Sequence, residues 1–198
     1  MEQGSPEWLA LRVGKITGSR FKAAMDRSKR NGQPNKPRRE LVRILRDELR
    51  TGFPEPFVTN EYMEHGTRCE PLALEAYKFI TGATVHHAAF LAHATLPYVG
   101  YSPDGFVPPD GLLEIKCPAL EGRHTRTVES GKCPDDYMPQ VQGGMWVSNC
   151  QWCDFISYFP SISVEIVRVY RDEAFIKRLA DECASVWAEV ISAQEKAA

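Results

Sequence analysis

A chain of 198 residues, 43% hydrophobic and 25% charged, has the composition of a globular protein and the length of one domain spanning 1–198, which excludes disordered and fibrous classes. No apolar run reaches the roughly 20 residues of a membrane helix. The start, MEQGSPEWLALRVGK, lacks the apolar core of a signal peptide, so a soluble, cytoplasmic protein with no membrane partner is expected. The net charge of −2 argues against a polyanion partner, yet residues 20–50 carry eleven basic side chains against four acids.

In chain order, Ser5-Pro6-Glu7 reads as an N-cap with proline at the first helical position and predicts a helix over 6–13. A second helix is expected from Thr17 or Gly18. The segment DRSKRNGQPNKPRR, residues 26–39, is polar, basic and broken by Gly32, Pro34 and Pro37, and predicts a loop. The local positive excess reads either as a nucleic-acid-binding face or as a solvated helix face with a floppy loop. Leu41, Ile44, Leu45 and Leu49 give helical periodicity, with arginines opposite. From Asn60 to Thr81 one or two helical segments are expected, stopped by Gly82.

Beyond Gly82 the period shortens. TVHHAAFLAH, YVGYSPDGFV and GLLEIKC are rich in β-formers, bounded by Pro and Gly, and read as neighbouring strands. GRHTRTVESG is a polar, basic segment, and DDYMPQVQGGMWVS predicts a helix with Gln140 and Gly144 on one face. WCDFISYFP and SISVEIVRVY form an expected hairpin, and RDEAFIKRLADECASVWAEVISAQ an amphipathic helix. This order predicts an α/β protein with a mixed sheet. The six cysteines read as reduced thiols, with Cys150 and Cys153 in a structural role, and the adjacent His86 and His87 have no metal-ligand spacing.

On the strand GLLEIKC, alternation points Glu114 and Lys116 to one face and Ile115 to the other. A hairpin through PPDG would bring Asp104 of SPDG alongside them. Carboxylates at that range repel and shift towards protonation unless a cation neutralises them, and oxygen donors select Mg²⁺ or Mn²⁺ over Zn²⁺. A salt bridge of Lys116 with either acid is the plainer alternative.

SPDG followed by EIK, with Glu114 ten residues after Asp104, resembles the PD-(D/E)xK nuclease signature. The blocks EWLALRVGKITGSRF, EYMEHGTRCEPLALEAY, YSPDG, LLEIKCP and YMPQVQGGMWV, taken together, are similar to the phage lambda exonuclease (YqaJ-like viral recombinase) family. The resemblance implies a restriction-endonuclease-like core with a central mixed β-sheet flanked by helices. It implies two Mg²⁺ ions, replaceable by Mn²⁺, held by Glu70, Asp104, Glu114 and the main-chain carbonyl of Ile115. Lys116 would then activate the attacking water and Gln140 would position it. Arg12, Ser19 and Ser102 would surround the 5'-phosphate of the cut strand, Met63 would wedge the strands apart at the duplex end, and the 26–39 loop would lie over DNA. The implied activity is 5'-to-3' digestion of double-stranded DNA ends, with a single-strand annealing protein as partner, a homotrimeric ring, and the cytoplasm of a bacterial host as location. A structure-selective or site-specific endonuclease on the same fold and a non-catalytic DNA-binding or annealing module are the alternatives.

Overall fold

The computed structural model describes residues 3–56 and 59–195. The helices are α1 (Pro6–Arg12), α2 (Gly18–Ala24), α3 (Lys36–Thr51), α4 (Glu61–Thr81), α5 (Glu121–Ser130), α6 (Met138–Ser148) and α7 (Glu173–Glu195). The strands are β1 (Leu91–Ala92), β2 (Gly100–Tyr101), β3 (Gly105–Val107), β4 (Gly111–Lys116), β5 (Trp152–Phe159) and β6 (Ser163–Tyr170). Local chemistry accounts for several ends. Ser5 Oγ accepts from the Trp8 N–H at 3.2 Å to open α1. Asn60 caps α4, and Gly82 closes it in the left-handed conformation at φ 67°.

The main sheet runs β3-β4-β5-β6. Strands β3 and β4 pair antiparallel, as do β5 and β6, whereas β4 and β5 pair parallel with Glu114 beside Phe155 and Lys116 beside Ser157. The parallel step needs a crossover, and α5 and α6 lie on it. The expected α/β architecture, a central mixed sheet flanked by helices, is the one observed.

Strand β4 is central and covered on both faces. On one face Leu113 and Ile115 pack with Ala73 and Tyr77 of α4. On the other, Leu112 joins a cluster that includes Phe21 of α2, Met145 of α6 and Leu179 of α7. Glu114 shares this second face and is fully buried.

Three readings are refined. TVHHAAFLAH, YVGYSPDGFV and GLLEIKC do supply neighbouring strands, β1 beside β2 and β3 beside β4, but in two sheets: β1 and β2 form a separate two-stranded ribbon, and His86 bridges Phe106. Pro103, which has no N–H to donate, divides the second segment, leaving Tyr101 at the end of β2 and Gly105 at the start of β3. GRHTRTVESG, read from the sequence only as polar and basic, forms α5. The expected loop over 26–39 ends early, because α3 begins at Lys36, and 26–35 is a tied turn closed by Asn35 N–H to Asp26 O at 3.1 Å and Ser28 N–H to Gln33 O at 2.9 Å.

The basic stretch is also less free than its charge suggests. Arg38 is 0% exposed and pairs with Glu182 at 2.7 Å and Glu189 at 2.8 Å, while Arg27 shares Glu182 at 2.7 Å. Arg20 pairs with the buried Glu48, and Arg43 with Glu40, Asp47 and Glu55. Acids on α7, far along the sequence, neutralise Arg27 and Arg38, and acids near in sequence neutralise Arg20 and Arg43. Lys29 and Arg30 stay exposed at the tip of the turn.

Candidate active site

The hairpin register sets Gly105 opposite Leu113, so Asp104 falls at the level of Glu114. Asp104 accepts a 2.6 Å hydrogen bond from the Ile115 N–H. Glu114 accepts from Lys116 Nζ through one oxygen and from the Tyr101 hydroxyl through the other. Burial, then Glu114 and Glu70, push the Asp104 carboxyl well above its ordinary range against the pull of Lys116 and the Ile115 N–H. Burial disfavours the Lys116 cation, but Glu114 and Asp104 outweigh it and leave the amine more basic than usual. Burial and Glu114 likewise push up the Tyr101 phenol, which stays an O–H donor.

Glu70 enters from α4. Its surface is exposed by area, yet burial of its carboxylate surroundings raises it, with Lys116 opposing and Glu114 adding to the rise, which places it within electrostatic reach of the β4 pair. Among the described residues, no three His, Cys, Asp or Glu side chains already form an ion cage. The donor set still fits a hard divalent cation: it is all oxygen, from Glu70, Asp104, Glu114 and the Ile115 carbonyl, and Glu114 and Glu70 add to burial in disfavouring an ionised Asp104, a cost that a cation would offset.

A second cluster adjoins the first through the segment 102–104. Arg12 directs one guanidinium nitrogen to Ser102 Oγ and the other to Ser19 Oγ, each at 3.3 Å. The Arg12 guanidinium also lies 4.1 Å from the Trp8 ring centroid, and Trp8 Nε1 donates to Ser102 Oγ at 2.9 Å. Burial, reinforced by Arg20, lowers Arg12 to about 10, so it is cationic at neutral pH. Arg12 is kept in place from below: Glu48 accepts from Gly14 N–H at 2.8 Å, and Gly14 sits at φ 67° with Leu49 Cδ2 2.5 Å from where a Cβ would stand. Gln140 lies beside Gly18, at the start of the helix carrying Ser19. This cluster is a phosphate-sized arrangement of one fork-shaped cation and two hydroxyls.

Met63 stands apart from both clusters. It lines, with Tyr62, Cys117, Leu120, Arg123 and Tyr137, a cleft of about 350 Å³. Arg123 and Tyr137 also line a smaller cavity of about 150 Å³ into which Lys116 and Arg126 face. The two spaces share Pro118, Arg123 and Tyr137 in their linings.

A family model described as the YqaJ-like viral recombinase domain matches residues 7–151, which cover Arg12, Ser19, Met63, Glu70, Ser102, Asp104, Glu114, Ile115, Lys116 and Gln140. The chain belongs to the YqaJ-like viral recombinase family. Among solved structures, this YqaJ-like chain is similar to the alkaline exonuclease LHK-Exo of Laribacter hongkongensis, at 34% identity over 97% of this chain and 95% of that one, with a TM-score of 0.87. LHK-Exo in complex with dAMP gives 33% identity and a TM-score of 0.88 over the same shares. A phage-related exonuclease from Haemophilus somnus shares the fold, at 16% identity, 93% of this chain, 96% of that one and a TM-score of 0.74. An uncharacterized protein of Acanthamoeba polyphaga mimivirus is 28% identical over 78% of this chain, which spans only 29% of that relative's length.

Sequence reasoning missed Trp8, Tyr101, Arg123 and Arg126 in this YqaJ-like domain. Trp8 and Arg12 are four apart on a helix, a spacing that makes them neighbours. Arg123 and Arg126 are three apart, but that signal is readable only once α5 is known to be a helix. Nothing local marks Tyr101, whose partner lies thirteen residues away.

Proposed function

We propose that the chain is a Mg²⁺-dependent exonuclease that digests double-stranded DNA from 5' to 3', releasing mononucleotides and leaving 3' single-stranded tails. One observation carries the reading: Ser102 belongs to the Arg12–Ser19 cluster, and Asp104, two residues on, belongs to the acidic cluster. A 5'-phosphate gripped by Arg12 therefore stands at a fixed remove from the acids, which is what a nuclease working inward from a 5' end requires.

Glu70, Asp104, Glu114 and the Ile115 carbonyl would hold two Mg²⁺, with Mn²⁺ as substitute. A bound divalent cation supplies Lewis acidity, making water a better nucleophile and offsetting charge on the departing oxygen. Lys116, a cation at neutral pH, orients the attacking water and counters charge on the scissile phosphate. Gln140, beside Gly18, helps hold that water. Arg12, Ser19 and Ser102 bind the terminal phosphate, Met63 parts the strands beside the larger cleft, and Arg123 and Arg126 offer cations at the smaller cavity that shares its lining. A homotrimeric ring around the duplex and a single-strand annealing partner, in the cytoplasm of a bacterial host, complete the proposal; a ring would keep a net-acidic chain on DNA by topology.

The test is digestion of linear duplex labelled at the 5' or the 3' end, with and without Mg²⁺. Release of labelled mononucleotide from 5' ends alone, only with Mg²⁺, and no cutting of closed circular duplex are expected. Cleavage of circles would favour an endonuclease, and absence of any hydrolysis a binding or annealing module.

A further inference from the structure

We propose that Tyr101 is a positioning residue for Glu114: its buried hydroxyl fixes one carboxylate oxygen and so sets the direction in which Glu114 meets a divalent cation. The inference rests on the metal-dependent reading above and adds to it a residue outside the donor set.

Tyr101 is the last residue of β2, in the two-stranded ribbon rather than the main sheet, and is 0% exposed. Its hydroxyl donates to Glu114 Oε2, while Lys116 donates to Oε1. The two donors engage opposite oxygens, and each oxygen keeps a second lone pair for a cation. A buried glutamate held by Lys116 alone could swing with the flexible amine. A phenol locked in the core cannot move with it.

The room for the ring is made by two glycines. A Cβ at Gly18 would stand 2.8 Å from Tyr101 Cδ2 and Cε2, and one at Gly144 would stand 2.6 Å from Cζ and 2.8 Å from the hydroxyl oxygen. Neither glycine has positive φ. Their lack of a side chain therefore serves space and not backbone conformation, at a helix-propensity cost of up to about 1 kcal/mol each relative to Ala. Filling the core needs no hydroxyl, since phenylalanine has the same ring. A buried hydroxyl is costly unless partnered, and the partner here is the carboxylate at the centre of the candidate site. Groups that hold a ligand's other atoms typically change metal affinity by 10–100-fold when removed.

The experiment titrates Mn²⁺ calorimetrically into DNA-free wild-type protein and Tyr101→Phe, alongside thermal unfolding, and then measures the Mg²⁺ dependence of nuclease activity. Tyr101→Phe should remain folded with a lowered unfolding temperature, bind Mn²⁺ about tenfold more weakly, and need correspondingly more Mg²⁺ for half-maximal rate with an unchanged KM for DNA ends. Folded Tyr101→Phe with wild-type Mn²⁺ affinity would overturn the inference and leave the nuclease reading standing. A wild-type protein that binds no Mn²⁺ would overturn both. If Tyr101→Phe does not fold, Gly144→Ala decides: it retains the hydroxyl but displaces the ring, and unaltered Mn²⁺ affinity there overturns the inference.

Discussion

The Asp104 carboxylate accepts a 2.6 Å hydrogen bond from the Ile115 N–H. This contact ties the turn after β2 to the middle of the central strand and holds a charge where Glu114 and Glu70 oppose it. Asp104→Asn keeps an oxygen acceptor for that N–H and removes the charge. Nuclease activity should fall more than about a hundredfold, beyond the usual effect of a residue one step removed from a metal, while duplex binding persists. Without divalent ions the variant should be more stable than wild type at pH 8, because burial and then the charges of Glu114 and Glu70 disfavour an ionised Asp104. Urea unfolding with and without Mg²⁺ measures this, and a destabilised variant would contradict that account.

The pH dependence follows from the same group. Folding raises the Asp104 pKa, chiefly by burial and then by Glu114, so the stability linked to it is fully present below the ordinary carboxylate value and is lost as pH rises through the folded value. In the metal-free protein a cation must displace that proton. Mn²⁺ affinity should therefore weaken on acidification, by up to about tenfold per pH unit where Asp104 is protonated, with proton uptake by the buffer on binding. Calorimetry in buffers of different ionisation enthalpy reads both quantities.

Arg12 sets the predicted end preference. Hydrogen bonds to charged groups contribute about 1.5–3 kcal/mol, so Arg12→Ala should slow digestion of 5'-phosphorylated ends by about 10–100-fold. Ends with a 5'-hydroxyl should be affected little, which removes the preference. Paired rate measurements on the two end types check this, and a uniform slowing would place Arg12 elsewhere in the reaction.

Much of the site was legible because its signals are local. Alternation along Gly111–Lys116 fixes the shared face of Glu114 and Lys116, and the short hairpin brings Asp104 level with them. The long helices and the β5–β6 hairpin were readable for the same reason. What escaped depends on distant partners: Tyr101 finds Glu114 across two sheets, and Pro103 splits a segment that alternation alone would keep whole. Arg38 looked like one more surface charge until α7 supplied Glu182 and Glu189.

That last pairing separates structural from DNA-facing arginines. Arg38 is 0% exposed, and its guanidinium also meets Ser185 Oγ at 2.9 Å. Removing it leaves Glu182 and Glu189 without their shared cation, although Arg27 still holds Glu182. Breaking a buried pair costs about 3–5 kcal/mol, and Arg38→Ala should lie at the lower end because Glu182 and Glu189 are 24% and 38% exposed. Its affinity for duplex DNA, measured at a temperature where it is folded, should equal wild type. Lys29→Ala with Arg30→Ala should do the reverse, leaving unfolding unchanged while lowering DNA affinity and flattening its salt dependence by about one counterion for each phosphate that is no longer neutralised. Unchanged DNA affinity and salt dependence in the Lys29→Ala, Arg30→Ala variant would mean that the tip of the turn at 26–35 does not touch the duplex.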